Sequence, residues 1–231
     1  LCIRIIEKVP VSELELVDRG YVNKYIEERN KILEKRIYSR KNSYNNMKTG
    51  KIVHLDGDKR YMEKSYKYYK KLGLNAVVKF VPEEKQEYII KDLISRYRPD
   101  ILVITGHDGM IKKGRNYSDI YNYMNSRFFV NTVKRAKEHE YGKNLVIFAG
   151  ACQSNYEQLI RAGANYASSP GRIMIHALDP VFVVEKIACS RIDTIVPIEE
   201  VIEQTVTGLK GIGGSETRGK FRWAMPKSML Y

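Results

Sequence analysis

From Lys51 onward, short runs that are apolar along their whole length alternate with longer stretches of helical periodicity, and few folds accommodate that alternation. Ile52–Asp56, Asn75–Val81, Asp100–Thr105 and Leu145–Ala149 are rich in Val, Ile and Phe with few polar interruptions. Continuous apolar character, rather than in-out alternation, marks strands buried on both faces. Between them, residues 59–72, 83–97 and 127–140 repeat apolar residues at helical spacing. Strands alternating with helices predict an α/β fold: a mostly parallel sheet with helices on both faces. Beyond residue 150 the pattern predicts a helix after Cys152 running to about Ala162 and short strands near 164–168 and 172–176. It continues with a helix over 180–188, a strand over 193–196 and a helix over 198–207.

Ahead of this region, residues 10–37 carry apolar positions spaced as in a long helix or helical hairpin, while residues 38–50 hold almost nothing to bury. The chain therefore divides into an N-terminal helical segment with linker (1–50) and an α/β domain (51–231). No run approaches 18 apolar residues and no signal peptide is visible, so neither a membrane partner nor secretion is expected. Three widely spaced cysteines form no disulfide framework and no paired zinc motif, which points to a reducing, cytoplasmic setting with no metal and no cofactor. The formal net charge is +13, but the basic residues are spread over helical faces, as in Lys64, Lys67, Lys70 and Lys71. With no RNA-recognition, zinc-finger or helix-turn-helix signature, a solvated surface explains that charge better than a nucleic-acid partner does. The glycine-rich stretch 208–219 follows a predicted helix and opens none, which argues against a phosphate loop and for a flexible active-site loop.

Two of the apolar runs end in glycine followed by chemistry. Asn144–Gly150 leads to Ala151-Cys152-Gln153, and Asp100–Gly106 leads to His107. In open α/β sheets ligands bind outside the carboxyl ends of the strands, so a thiol and an imidazole there are a candidate nucleophile and general base. Cys152 precedes the polar Gln-Ser-Asn of an expected helix start, and that helix N-terminus is expected to lower the thiol pKa. The backbone N–H of Cys152, with one from Asp108–Gly109, forms a candidate oxyanion hole. His176, after Arg172–Ile175, is the rival base, and with Cys152 it gives the residue order of a class I amidotransferase-like amidase. His54 lies inside its strand and His139 on a charged helix face, where packing roles are expected. Cys2 sits near the amino end and Cys189 ends an amphipathic stretch; neither has a reactive setting.

Thr105-Gly-His-Asp-Gly109, Phe148-Ala-Gly-Ala-Cys-Gln-Ser154, the segment 162–170, Ile175-His-Ala-Leu-Asp-Pro180 and Gly213-Gly-Ser-Glu-Thr-Arg-Gly219 together resemble the YabG family of sporulation-specific cysteine peptidases of endospore-forming bacteria. The resemblance covers roughly residues 50–226. It implies a caspase-like fold, in which a His after the third strand and a Cys after the fourth form a catalytic dyad. Counting from Ile52, these are His107 and Cys152. The family usually carries a small β domain ahead of this region, which accords with a chain beginning at leucine. The resemblance further implies cleavage of spore coat or cortex-associated proteins after Arg or Lys, in the mother-cell cytoplasm and at the spore coat, with no cofactor. Caspase-like peptidases carry His-Gly, whereas Asp108 intervenes here, and this places a carboxylate where it could orient His107 or meet a basic substrate residue. Asp108, Asp179 and Glu185 are the candidates for that substrate-binding role, although Asp179, preceding Pro180, also suits the N-cap of the next helix. A non-catalytic basic scaffold in spore assembly is the reading from a different class.

Overall fold

The computed structural model describes residues 18, 20, 24, 47–111 and 116–223. Almost all of the expected N-terminal helical segment, and Cys2, lie outside the described residues. In chain order the strands and α-helices are β1 (Met47–Lys48), β2 (Ile52–Asp56), α1 (Lys59–Lys71), β3 (Ala76–Phe80), α2 (Glu83–Tyr97), β4 (Ile101–Thr105), α3 (Ser126–Glu138), β5 (Val146–Ala149) and α4 (Tyr156–Arg161). They continue with β6 (Tyr166–Ser168), α5 (Asp179–Cys189), β7 (Ile195–Val196), α6 (Ile198–Ile202), β8 (Ile212–Gly214), β9 (Thr217–Arg218) and β10 (Arg222–Trp223).

The central sheet has the order β3-β2-β4-β5-β6-β8, parallel except for β8. Its side chains alternate between two cores with the period of two that a strand imposes. Val53, Leu55, Leu102, Ile104, Ile147 and Ala149 face a layer built from Ile90 and Ile94 of α2, Phe129 and Val133 of α3 and Leu159 of α4. Ile52, Ile101, Val103, Val146, Phe148 and Tyr166 face Tyr69 of α1 and Val181, Val184 and Ile187 of α5. Both faces are covered, which is why the strand runs are apolar throughout.

The crossover from β2 goes outward to β3 and the next returns past β2 to β4. The connections therefore leave in opposite directions from the β2–β4 boundary, the kind of switch point at whose strand carboxyl ends open α/β sheets bind ligands. The helix starts that flank it are fixed locally. Asp58 caps α1, its carboxylate accepting from the backbone N–H of Arg60 and Tyr61. Glu83 and Glu84 occupy the first turn of α2 after Pro82, where acidic residues suit the helix dipole.

Four segments differ from the sequence expectation. Met47–Lys48 are not linker: they pair antiparallel with Arg222–Trp223, tying the entry of the domain to its exit. Residues 172–176 are not a strand, because antiparallel β8 occupies the place beside β6 and the segment instead runs past Cys152, with Gln153 N–H donating to the Ile173 carbonyl at 3.0 Å. The glycine-rich stretch is not a flexible loop. Ile212–Gly214 pair with Ser168–Tyr166, and a side chain at Gly214 would collide with the backbone of Asn165 and Tyr166, so the glycine permits the close strand approach. Finally, α4 begins at Tyr156, capped by Asn155, rather than directly after Cys152, which lies in the turn ahead of it.

Candidate active site

β2, β4 and β5 are neighbours, so their carboxyl-terminal loops stand in a row: Gly57–Asp58, Gly106–Asp108 and Gly150–Gln153. The register pairs Ile104 with Ala149, and adjacent strands lie about 4.8 Å apart. His107 and Cys152 thus leave neighbouring strand ends. The loops are cross-linked at once: Gly57 N–H donates to the Thr105 carbonyl at 3.0 Å and Gly150 N–H to the Ile104 carbonyl at 2.9 Å. Gly150 (φ 104°) and Gln153 (φ 55°) are both left-handed, bending the chain sharply on either side of Cys152.

Asp108 is the knot that joins the histidine loop to the cysteine loop. Its Oδ1 accepts from Gly109 N–H at 2.9 Å and Asn125 N–H at 2.8 Å, and its Oδ2 from Ser126 Oγ at 2.5 Å and Ser154 Oγ at 2.8 Å. Each serine hydroxyl in turn accepts a backbone N–H, Ser154 from Ala151 at 2.9 Å and Ser126 from Asn155 at 2.8 Å. Protons therefore run one way, from backbone amide to hydroxyl to carboxylate. Burial pushes the Asp108 carboxyl pKa up, against the four donors that favour its charged form. The Gly109 N–H, one of the expected oxyanion donors, is turned toward Asp108 in this structure.

The half-buried thiol of Cys152 faces Ile175, donating to its carbonyl at 3.8 Å and accepting from its N–H at 3.4 Å. Its pKa is raised. Burial is the main cause, the N–H groups of Ile175 and of Cys152 itself oppose it, and the negative charges of Asp108 and Asp179 add to it. The expected lowering by a helix start does not occur, since the helix begins beyond the turn.

The His107 side chain is 54% exposed, and its Nε2 lies 2.9 Å from Asp58 Oδ2. The Tyr61 ring packs against the imidazole in a T-shaped arrangement, centroids 5.7 Å apart. The backbone is held from below: His107 N–H donates to Glu83 Oε1 at 2.7 Å and its carbonyl accepts from Asn125 Nδ2 at 2.8 Å. The Glu83 carboxyl fills the space beneath Gly57 and Gly106, and a Cβ on either glycine would overlap it. Partial burial pushes the Asp58 carboxyl pKa up, but the His107 ring, the Arg60 and Tyr61 amides and the Arg60 guanidinium outweigh it and hold the pKa down to about 2.

His176, the rival base, has its backbone N–H on Thr207 Oγ1 at 2.9 Å and Asp179 Oδ2 at 3.2 Å, and its Nδ1 accepts from Leu178 N–H at 3.3 Å. Asp179 is fully buried. It also accepts from Val206 N–H at 2.6 Å, Thr207 N–H at 3.3 Å and the Thr207 hydroxyl. Leu178 rather than Asp179 occupies the N-cap position of α5, so the carboxylate ties the 176 loop to residues 206–207 instead of capping a helix. Glu185 is buried on α5, and Cys189 ends that helix half-buried.

Sequence reading missed Asp58, Glu83, Ser126 and Ser154. Asp58 was the accessible one: a carboxylate just ahead of a helix and just after a strand is an N-cap at a strand end, beside the place where ligands bind. The others depend on distant partners. Among the described residues no cluster of three or more His, Cys, Asp or Glu is arranged to hold a metal ion, and no described helix is long and apolar enough to cross a membrane.

Fold and site define an α/β protein whose unusual chemistry is gathered at the carboxyl ends of three adjacent parallel strands. A family model described as YabG peptidase U57 matches residues 2–226, and the chain belongs to that peptidase family. It is 45% identical over 214 residues to the sporulation-specific protease YabG of Bacillus subtilis (strain 168), covering 92% of this chain and 73% of the relative. No solved structure matches the chain. The protein is therefore a peptidase, a hydrolase of the sporulation-protease type, and both the amidotransferase-like reading and the non-catalytic scaffold give way to it.

Proposed function

We propose that the chain is a cysteine endopeptidase in which Cys152 is the nucleophile and His107 the general base and then acid. The observation that carries this reading is the Asp108–Ser154 bond, which locks the loop after β4 to the loop after β5 and so holds His107 and Cys152 in one unit. Because the thiol pKa is raised, the resting sulfur is a thiol rather than a thiolate. The proton must therefore leave for His107 as the sulfur attacks the scissile carbonyl, and the thiol turns from Ile175 toward the imidazole to do so. The tetrahedral oxyanion is met by the backbone N–H of Cys152 and by the Asp108–Gly109 turn, whose Gly109 N–H becomes available if Asp108 Oδ1 keeps only Asn125. Imidazolium then protonates the leaving amine as the C–N bond breaks, giving a thioester on Cys152. Water, deprotonated by His107, hydrolyses the thioester and restores the thiol.

The substrates in this reading are spore coat or cortex-associated proteins cut after Arg or Lys, in the mother cell or at the coat during sporulation. Asp108 and Asp179 support a cationic residue before the cut in a particular way. Both carboxylates are engaged by internal donors, but both raise the Cys152 pKa, so both project negative potential onto the nucleophile, the field that an arginine side chain would enter. Arg218, the exposed arginine of the glycine-rich segment, lies in β9 paired to β7, so self-cleavage there would require that ladder to open.

A peptide-library profile of the purified chain tests the whole reading, run alongside Cys152→Ala, Asp108→Asn and Asp179→Asn. Cleavage after Arg or Lys that vanishes in Cys152→Ala and loses basic preference in the two Asn variants is expected. An apolar or acidic residue dominating the position before the cut, or cleavage surviving in Cys152→Ala, contradicts it.

A further inference from the structure

We infer that Asp58 is a positioning residue for the reaction, holding His107 through Nε2 so that Nδ1 is presented to the Cys152 thiol. The inference rests on the Cys152–His107 reading above and adds a third member to it. β2, β4 and β5 are consecutive in the sheet, and the loops after them carry a carboxylate, an imidazole and a thiol in the same spatial order. Asp58 Oδ2 lies 2.9 Å from Nε2, and the Asp58 side chain is only 13% exposed where that of His107 is 54% exposed. The carboxylate is thus the fixed partner and the ring the presented one.

Asp58 is itself fixed from three sides. Its Oδ1 accepts from Arg60 N–H at 2.7 Å and Tyr61 N–H at 3.3 Å as the cap of α1, and its own N–H donates to Asp56 Oδ1 at 2.8 Å. Asp56 is anchored in the sheet, its Oδ2 accepting from the Thr105 hydroxyl at 2.9 Å. One oxygen of Asp58 serves the helix and the other serves the histidine. A carboxylate accepts only, so the neutral imidazole that meets it carries its proton on Nε2 and leaves a lone pair on Nδ1, the acceptor that a thiol proton needs. When His107 becomes imidazolium during attack, the same carboxylate stabilises the charge. Arg60, whose guanidinium stands 3.4 Å from Oδ2, is 84% exposed and competes weakly.

A purely structural role for Asp58 as a helix cap makes a different forecast. Asparagine caps helices as well as aspartate does, so Asp58→Asn preserves α1 while removing the acceptor-only partner of the ring. In the full chain, with an arginine-containing peptide substrate, Asp58→Asn is expected to lower kcat by on the order of 10²-fold or more while KM stays within about twofold. Unchanged kcat in Asp58→Asn, with Cys152→Ala and His107→Ala inactive, overturns the Asp58 role and leaves the dyad standing; a change confined to KM does the same. Activity surviving in Cys152→Ala instead strikes the underlying reading. A second measurement is independent of turnover: ¹⁵N spectra of the full chain carrying Cys152→Ala are expected to show neutral His107 in the Nε2–H tautomer, becoming mixed when Asp58→Asn is added. A dominant Nδ1–H tautomer in the presence of Asp58 overturns the inference.

Discussion

Two loops of this molecule each hold a histidine close to an aspartate, half-buried in one (Asp108) and fully buried in the other (Asp179), and they use it to opposite ends. Asp108 gathers two backbone amides and two serine hydroxyls, and by doing so binds the β4 loop to the β5 loop while leaving the His107 ring outside the knot. Asp179 gathers the amides of His176, Val206 and Thr207 and the Thr207 hydroxyl, and the His176 ring is drawn in, its Nδ1 taking the Leu178 amide. The same device, a carboxylate engaged by several donors that tie segments distant in sequence, builds rigidity in both places. What differs is whether the histidine is part of what is held or is what the holding presents. An imidazole can serve as a base only where a ring nitrogen remains for the substrate-side proton, which favours His107.

The largest expected effect breaks or confirms that comparison directly. His107→Ala should lose on the order of 10³-fold or more in kcat/KM, as Cys152→Ala does, whereas His176→Ala should stay within about tenfold of the parent chain. Steady-state cleavage of an arginine peptide by the three variants decides it, and the reverse ranking of the two histidines would assign the base to the wrong loop in our reading.

Next in size is the disruption of the knots themselves. Asp108→Asn replaces an acceptor with an NH₂ group facing Ser126 and Ser154, whose hydroxyls already accept backbone amides, so two hydroxyl protons lose their partner. A loss of about 2 kcal/mol of stability is expected, with a clear fall in kcat because the loops of the proposed dyad uncouple. Asp179→Asn should cost a similar stability with a smaller effect on kcat, since the loop it ties carries no group of the proposed dyad. Urea unfolding together with kinetics checks both; equal kcat losses would mean that the two loops contribute alike.

The smallest effect lies beneath the site, where His54 and Asp56 share the Thr105 hydroxyl. Burial lowers the His54 pKa from 6.5 to about 3, so its contribution is complete above about pH 6.5 and is lost as pH falls toward 3. Burial likewise raises Asp56 from 3.8 to about 6, against the Asp58 amide and the Thr105 hydroxyl; its contribution is complete below about 3.8 and is lost as pH rises through 6. Between about pH 6 and 4 the two oppose each other. Asp56→Asn removes one of them, so its Tm should fall more steeply than that of the parent chain over that interval, as followed by circular dichroism. Parallel Tm curves would show that Asp56 does not titrate there.

Much of this was legible in residues alone. The runs at 52–56, 101–105 and 146–149 announced buried strands because a strand covered on both faces has no polar side to show, and Gly106 and Gly150 marked where the chain turns toward His107 and Cys152. The short carboxyl-terminal pieces were less readable. Residues 172–176 have strand composition but lost their place in the sheet to Ile212–Gly214, an outcome of competition for one edge that neither segment encodes by itself. Asp108 was legible as a carboxylate beside the histidine, but its bonds to Ser126 and Ser154 were not, because those partners are distant in sequence and adjacent only in the fold.

By itself the sequence determined the class of fold and the two strand ends that carry thiol and imidazole, since burial on both faces, helical periodicity and glycine punctuation are local properties of composition and order. Only the tertiary structure decided that β2, β4 and β5 lie side by side, that Asp58 meets His107, and that Cys152 rests with its pKa raised beside Ile175. Those facts depend on which strands pair and on how deeply a group is buried. Pairing and burial are settled by long-range packing and desolvation, which no window along the chain contains.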